Sequence, residues 1–176
     1  MNKYHRYINL PFEISRPPIL DNLPSDFFIS DDGWRCPKMQ EFLSGLGLEI
    51  AAVEYLQTPE NGGKLPPHSD QQYFDDHVKI NISYGPEDAK MVWWDVPLEK
   101  TQPIQEYDIL FANLSDCTRV WEATTNQPSL CNVGVVHSTE NPSKEPRFTL
   151  CFIPALDQKH IQWEDALKIF GEYIDE

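Results

Sequence analysis

Residues 130–153 read LCNVGVVHSTENPSKEPRFTLCFI: two apolar runs separated by a polar stretch holding Asn141, Pro142 and Pro146. Val, Ile, Phe and Cys dominate the runs, and the Asn/Pro cluster breaks the chain between them, as for consecutive strands joined by a turn. Working outward, the same texture recurs at 49–56, 78–84, 90–96, 108–112, 130–137 and 147–153, with one more short strand near His68. Turn residues bound these segments: 59–63, Gly85-Pro86, Pro97, Asn113, 126–128 and 141–143. Many short strands with loop-like connections predict an antiparallel sandwich or barrel rather than a βαβ fold, and a jelly roll is the simplest arrangement.

Two segments follow a different period. Met39, Phe42, Leu43 and Leu46 recur at helical spacing, with Pro37 suited to a first turn and Gly47 to a stop. Trp163, Ala166, Leu167, Phe170, Tyr173 and Ile174 repeat that spacing and predict a C-terminal amphipathic helix over 160–175. Pro11, Pro17, Pro18 and Pro24 leave the first 35 residues irregular. The expected organisation is a single domain over 1–176. Residues 1–48 form an irregular and helical cover, 49–153 a mainly β jelly-roll core, and helices flank it at both ends.

With 176 residues, the chain fits one domain large enough to bury a core without staples. Lys plus Arg number 14 against 28 Asp plus Glu, a net charge of −14, which disfavours phosphate backbones and anionic lipid surfaces as partners. The longest apolar stretches, such as 150–156, fall far short of a membrane span. No apolar export segment follows Met1, so a cytoplasmic location is expected, with a small-molecule or peptide substrate and neither nucleic acid nor membrane as partner. Cys36, Cys117, Cys131 and Cys151 show no CxxC spacing and read as reduced structural thiols.

Chemistry concentrates at three residues. In Pro66-Pro67-His68-Ser69-Asp70, the imidazole and carboxylate stand two positions apart, on one face of an extended chain, and can converge on one ion. A second imidazole, His137, arrives from a distant strand. Two histidines and one carboxylate leave half an octahedron open, the donor set that suits non-haem Fe(II). Ten residues past His137, Arg147-Phe148-Thr149 opens an apolar strand. Residues 138–146 read as a turn between antiparallel neighbours, which puts Arg147 and Thr149 on the inward face beside His137. A buried guanidinium there needs an anionic partner and fits a carboxylate bidentately.

The ordered set His68-x-Asp70, His137, Arg147-x-Thr149 resembles the Fe(II)/2-oxoglutarate-dependent oxygenases, over about residues 49–153. The resemblance implies a double-stranded β-helix, a cupin-like form of jelly roll. It implies Fe(II) held by His68, Asp70 and His137, and 2-oxoglutarate anchored through its distal carboxylate by Arg147 and Thr149. It also implies consumption of O2, with succinate and CO2 as coproducts. By likeness to prolyl and aspartyl/asparaginyl hydroxylases, Tyr55 and Asn81 are further cosubstrate candidates, and an amino-acid or peptide substrate is expected. Two other readings stay open: a non-catalytic jelly-roll binding module, and a cupin-like metalloenzyme that uses no 2-oxoglutarate. His77 is a reserve ligand, while His5 and His160 read as solvated. Of Trp93 and Trp94, one is expected in the core and one at the cleft mouth. The acidic pairs Asp31-Asp32 and Asp75-Asp76 read as solvated loops.

Overall fold

Proline and glycine set the ends of the first helix. In the computed structural model, which describes residues 2–23, 26–30, 36–70, 77–104 and 109–175, helix α1 spans Pro37–Gly45. Pro37 sits in the first turn, where a missing N–H costs nothing, and Gly47 leaves the helix at φ +75°. Helix α2 spans Trp163–Ile169 and tightens into a 3-10 turn at Gly171–Tyr173, shorter than the predicted 160–175. His160 instead joins a two-residue strand, and Gly171 interrupts the apolar stripe within its last turn.

Strands β1 (His5–Tyr7), β2 (Phe27–Ser30), β3 (Glu49–Thr58), β4 (Gly63–Ser69), β5 (Val78–Tyr84) and β6 (Lys90–Asp95) come first along the chain. They are followed by β7 (Thr101–Ile104), β8 (Ile109–Ala112), β9 (Thr118–Ala123), β10 (Ser129–Asn132), β11 (His137–Asn141), β12 (Arg147–Leu156) and β13 (Lys159–His160). One sheet runs β1-β10-β5-β12-β3-β2, with β13 on β12; the other runs β7-β8-β4-β11-β6-β9. Every pair is antiparallel. The pairs β3·β12, β4·β11, β5·β10 and β6·β9 nest inside one another, so the chain from β3 to β12 is a long folded ribbon wound into a double-stranded β-helix. The protein is thus mainly β, a cupin-like jelly roll with flanking helices.

The first sheet is buried on both faces for different reasons. Val53, Tyr55, Ile80, Ile82, Leu150 and Phe152 pack against Met39 and Leu43 of α1 and Trp163, Ala166 and Phe170 at the C-terminal end. Each large apolar side chain buried there stabilises the fold by about 1.5–3 kcal/mol. The opposite face of the same strands carries Glu54, Lys79, Asn81, Arg147 and Thr149, all buried, and looks into a cavity between the sheets. Strand alternation places a dry apolar core on one side and a polar wall on the other.

Several expectations need correction here. The predicted strand 130–137 is two strands: β10 ends at Asn132, and residues 133–136 cross to the other sheet before β11 begins at His137. At that switch Val133 N and Gly134 N both bond to His77 O rather than to a ladder. Strands β11 and β12 are likewise not neighbours. They lie in different sheets, and the turn after Asn141 is a crossing rather than a hairpin. The buried Asn141 side chain organises it, with Nδ2 within 2.8 Å of Glu145 O and 3.2 Å of Thr58 O. His5 is not solvated; it lies in β1, is buried, and meets Tyr7 edge-on at 4.4 Å. Trp34, Asp31, Asp32, Asp75 and Asp76 lie outside the described residues. Among those described, no helix is long and apolar enough to cross a membrane, and all four cysteines are free thiols.

Candidate metal centre

A bulge brings the first two candidate ligands inward. His137 pairs with His68 across β11·β4, but Thr139 pairs with Leu65, so β4 carries one extra residue between them, at Pro66-Pro67. Prolines have no N–H to leave unpaired in such an irregularity, and the extra residue turns both Leu65 and His68 toward the cavity. Asp70 follows as the strand ends, its N–H bonded to Val133 O in the segment leading to His137. One ligand atom from each of His68, Asp70 and His137 lies within 4.8 Å of the others.

The two imidazoles are oriented by the same local device. His68 Nδ1 donates to Pro66 O at 2.8 Å, and His137 Nδ1 donates to Val135 O at 2.9 Å. A carbonyl can only accept, so each Nδ1 carries a proton, and Nε2 is the atom each ring turns toward the cluster. Both Nε2 atoms face one carboxylate oxygen: Asp70 Oδ1 is 3.2 Å from His68 Nε2 and 3.8 Å from His137 Nε2. Burial, then the neighbouring His68, push His137 down to about 3, so that ring stays neutral at ordinary pH. Burial disfavours the Asp70 carboxylate, but Lys79, His137 and His68 together outweigh it and hold the carboxyl well below its usual range. Two imidazole nitrogens and one carboxylate oxygen therefore converge. The donor set fits a divalent cation of borderline hardness, two nitrogens and one oxygen on one side.

Behind this cluster lies an ionic brace that the sequence reading passed over. Lys79 Nζ sits 2.6 Å from Asp70 Oδ2 and 2.6 Å from Glu54 Oε2, all three groups largely shielded from water. Burial works against the ammonium, but the two carboxylates raise its pKa above the ordinary lysine value. The signal was present in β5, where Lys79, Asn81 and Ser83 alternate with Val78, Ile80 and Ile82 to form one polar face.

Arg147 lies on the other sheet, facing the same cavity and 1% exposed. Its Nη2 donates to Thr125 Oγ1 at 2.6 Å; Nε and Nη1 have no partner among the described residues. Burial lowers its pKa to about 10, still charged at neutral pH. From Thr125 a hydroxyl relay runs to Ser83 Oγ at 2.5 Å and on to Thr149 Oγ1 at 2.8 Å. A guanidinium only donates, so Thr125 accepts from Arg147, and one direction open to the relay runs on from Thr125 to Ser83 to Thr149. In that direction the Thr149 proton is free for a ligand. Gly85 lets this corner close: it has φ +139°, and a Cβ there would come within 2.9 Å of Pro146 O.

The structure thus brings His68, Asp70, His137, Arg147, Thr149 and Asn81 around one cavity of about 1040 Å³. Asn81 Oδ1 is buried with no partner among the described residues, and Nδ2 lies 3.8 Å from Met91 Sδ. Tyr55 is the exception. Alternation along β3 turns it into the helix-covered core, and its neighbours Glu54 and Leu56 line the cavity instead. Neither tryptophan of the pair reaches the mouth. Trp93 Nε1 bonds to Asn132 O between the sheets, and Trp94 Nε1 bonds to Ser138 Oγ beneath Arg119. His77 lines the rim, its ring 5.0 Å from that of the exposed His160, away from the three-residue cluster.

No family model matches this chain, and no curated protein matches it. Solved structures do. EvdMO1 is 16% identical with a TM-score of 0.43, over 66% of this chain and 30% of that one. EvdO2 from Micromonospora carbonacea var. aurantiaca, complexed with 2-oxoglutarate, is 13% identical with a TM-score of 0.42, over 76% and 66%. The epimerase SnoN, in complex with Fe3+, alpha ketoglutarate and nogalamycin RO, is 18% identical with a TM-score of 0.42, over 69% and 56%. At these identities and scores the likenesses say nothing about the chemistry of this chain.

Proposed function

We propose that the protein is an Fe(II)- and 2-oxoglutarate-dependent oxygenase that hydroxylates its substrate. The observation that carries this reading is the buried Arg147 guanidinium, with two unpartnered nitrogens, on the cavity wall across from the His68, Asp70 and His137 cluster. An unpaired buried charge costs several kcal/mol, so the site is built for an anion. Charge supports a dianion. With a divalent cation bound, both imidazoles would be neutral ligands, Asp70 and Glu54 would offset Lys79 and Arg147, and the buried wall would stand at +2.

His68, Asp70 and His137 would hold the metal, each imidazole kept in the Nε2-donor tautomer by its backbone carbonyl. Arg147 would grip the distal carboxylate of 2-oxoglutarate through Nε and Nη1, with the Thr149 hydroxyl donating a further bond. When bound, the ferrous ion supplies the chemistry that consumes O2 and 2-oxoglutarate, releases succinate and CO2, and places one oxygen atom in a substrate C–H bond. Leu65, Ile104, Ile109 and Phe111 form an apolar stretch of the cavity lining. That apolar wall suits the hydrocarbon part of an amino-acid or peptide side chain, the substrate class we favour.

Anaerobic titration with Fe(II) and 2-oxoglutarate tests the reading through the visible charge-transfer band. A succinate-release screen over amino acids and short peptides, with Asp70→Ala as control, then finds the substrate. A wild-type protein that binds Fe(II) yet develops no band would overturn the cosubstrate assignment.

A further inference from the structure

The Glu54–Lys79–Asp70 brace is not needed to fold a jelly roll. It removes three charged side chains from water on the wall of the cavity, an arrangement that apolar residues of like volume commonly match or better in stability. Its geometry is asymmetric about Asp70. Lys79 takes Oδ2 at 2.6 Å, while Oδ1 alone is turned toward the two imidazole nitrogens. Glu54 fixes Lys79 from the other side at the same distance, so the ammonium is held between two carboxylates on neighbouring elements of both sheets.

We propose that Lys79, braced by Glu54, is a positioning residue that keeps Asp70 a one-oxygen donor and so reserves the remaining metal positions for the cosubstrate. The proposal rests on the metal and 2-oxoglutarate reading of this cavity. A carboxylate freed from Lys79 can rotate so that both oxygens face the metal, closing a position that the keto acid end of 2-oxoglutarate must occupy. An ammonium suits this task because it is a compact point charge with three donors, enough for both carboxylates at once. Removing Lys79 alone would leave two buried carboxylates in mutual repulsion; removing it together with the Glu54 charge does not.

The test compares wild type with the neutralised pair Glu54→Gln/Lys79→Met in the full chain. Co(II) binding is followed by calorimetry and by its ligand-field spectrum, and 2-oxoglutarate binding to the Co(II) form is measured separately. The expected result is Co(II) affinity within about threefold of wild type, an altered ligand-field spectrum, and 2-oxoglutarate affinity lowered tenfold or more. An unchanged spectrum and unchanged 2-oxoglutarate affinity, with only thermal stability moved, would overturn the proposal and leave a structural ion pair. Should the double variant not fold, Glu54→Gln alone loosens the brace and is expected to weaken 2-oxoglutarate two- to threefold with Co(II) affinity kept; no change overturns the proposal. Failure of the underlying readings looks different. Wild type that binds no Co(II) removes the metal and the brace's role together. Wild type that binds Co(II) but not 2-oxoglutarate removes the cosubstrate, while the variant's spectrum still decides whether Lys79 positions Asp70.

Discussion

Arg147 Nη2 donates to Thr125 Oγ1 at 2.6 Å, while Nε and Nη1 of the same buried guanidinium have no hydrogen-bond partner among the described residues. Under the proposed function, the residue serves a ligand at the expense of the ligand-free fold. Arg147→Met should therefore equal or exceed wild type in ligand-free stability by up to about 1–4 kcal/mol, since it removes a buried unpaired charge. The same change should weaken 2-oxoglutarate about 100-fold, the loss of roughly 3 kcal/mol of charge-assisted bonding. Urea unfolding and calorimetry with Mn(II)-loaded protein measure the two effects separately.

The hydroxyl relay makes Thr149 distinguishable from a packing residue. Thr149→Val should keep the fold and weaken 2-oxoglutarate about fivefold to tenfold, the worth of one hydrogen bond of about 1–1.5 kcal/mol. Thr149→Ser keeps the hydroxyl and should restore most of the affinity. Equal binding by all three proteins, read by calorimetry, would remove Thr149 from the anchor.

Removing either imidazole should abolish tight metal retention, because two donors cannot replace three on one side of the ion. His68→Ala and His137→Ala should each lose Mn(II)-dependent thermal stabilisation. In wild type, Mn(II) at about a hundred times its Kd should add roughly 2.7 kcal/mol, reversed by chelator. Differential scanning fluorimetry with and without Mn(II) decides this.

Acid should weaken the fold through a residue far from the cavity centre. Burial, then the Arg6 charge, lower His5 from 6.5 to about 4. The folded state therefore binds fewer protons than the unfolded chain between those values. The stability contributed by neutral His5 is complete above pH 6.5 and is lost as pH falls toward 4. Between pH 7 and pH 5 the loss from this group is on the order of 2 kcal/mol. His5→Gln should flatten that part of the profile, measured by urea unfolding at both pH values; an identical slope would show that His5 does not titrate in this range.

Much of this architecture was legible because it is written in local signals. Turn residues and short apolar runs outlined β3, β5, β6 and β12, and the 3.6-residue period located both helices. The spacing of His68, Asp70, His137, Arg147 and Thr149 was readable because strand alternation converts sequence separation into facing direction. What resisted reading was pairing. Whether residues 138–146 form a hairpin or a crossing depends on the partners β11 and β12 find far along the chain, and Asn141 settles that through contacts with residues 58 and 59. Tyr55 was misplaced by one position of strand phase, since its neighbour Glu54 faces the cavity. Lys79 escaped notice because its partners, Glu54 and Asp70, come from other strands.

The crossing after Asn141 has a consequence for selectivity. Both imidazoles hang from one sheet and the guanidinium from the other, so the gap between the layers works as a calliper. Under the proposed function, a diacid one methylene too short would touch a single jaw, and one too long would have to buckle. Chain-length discrimination among dicarboxylates would then belong to the spacers: Met91, Trp93, Cys131 and Val133, packed between the layers and tied across them by the Trp93–Asn132 bond. Trimming Trp93 should change which diacid is gripped without touching a single ligand atom.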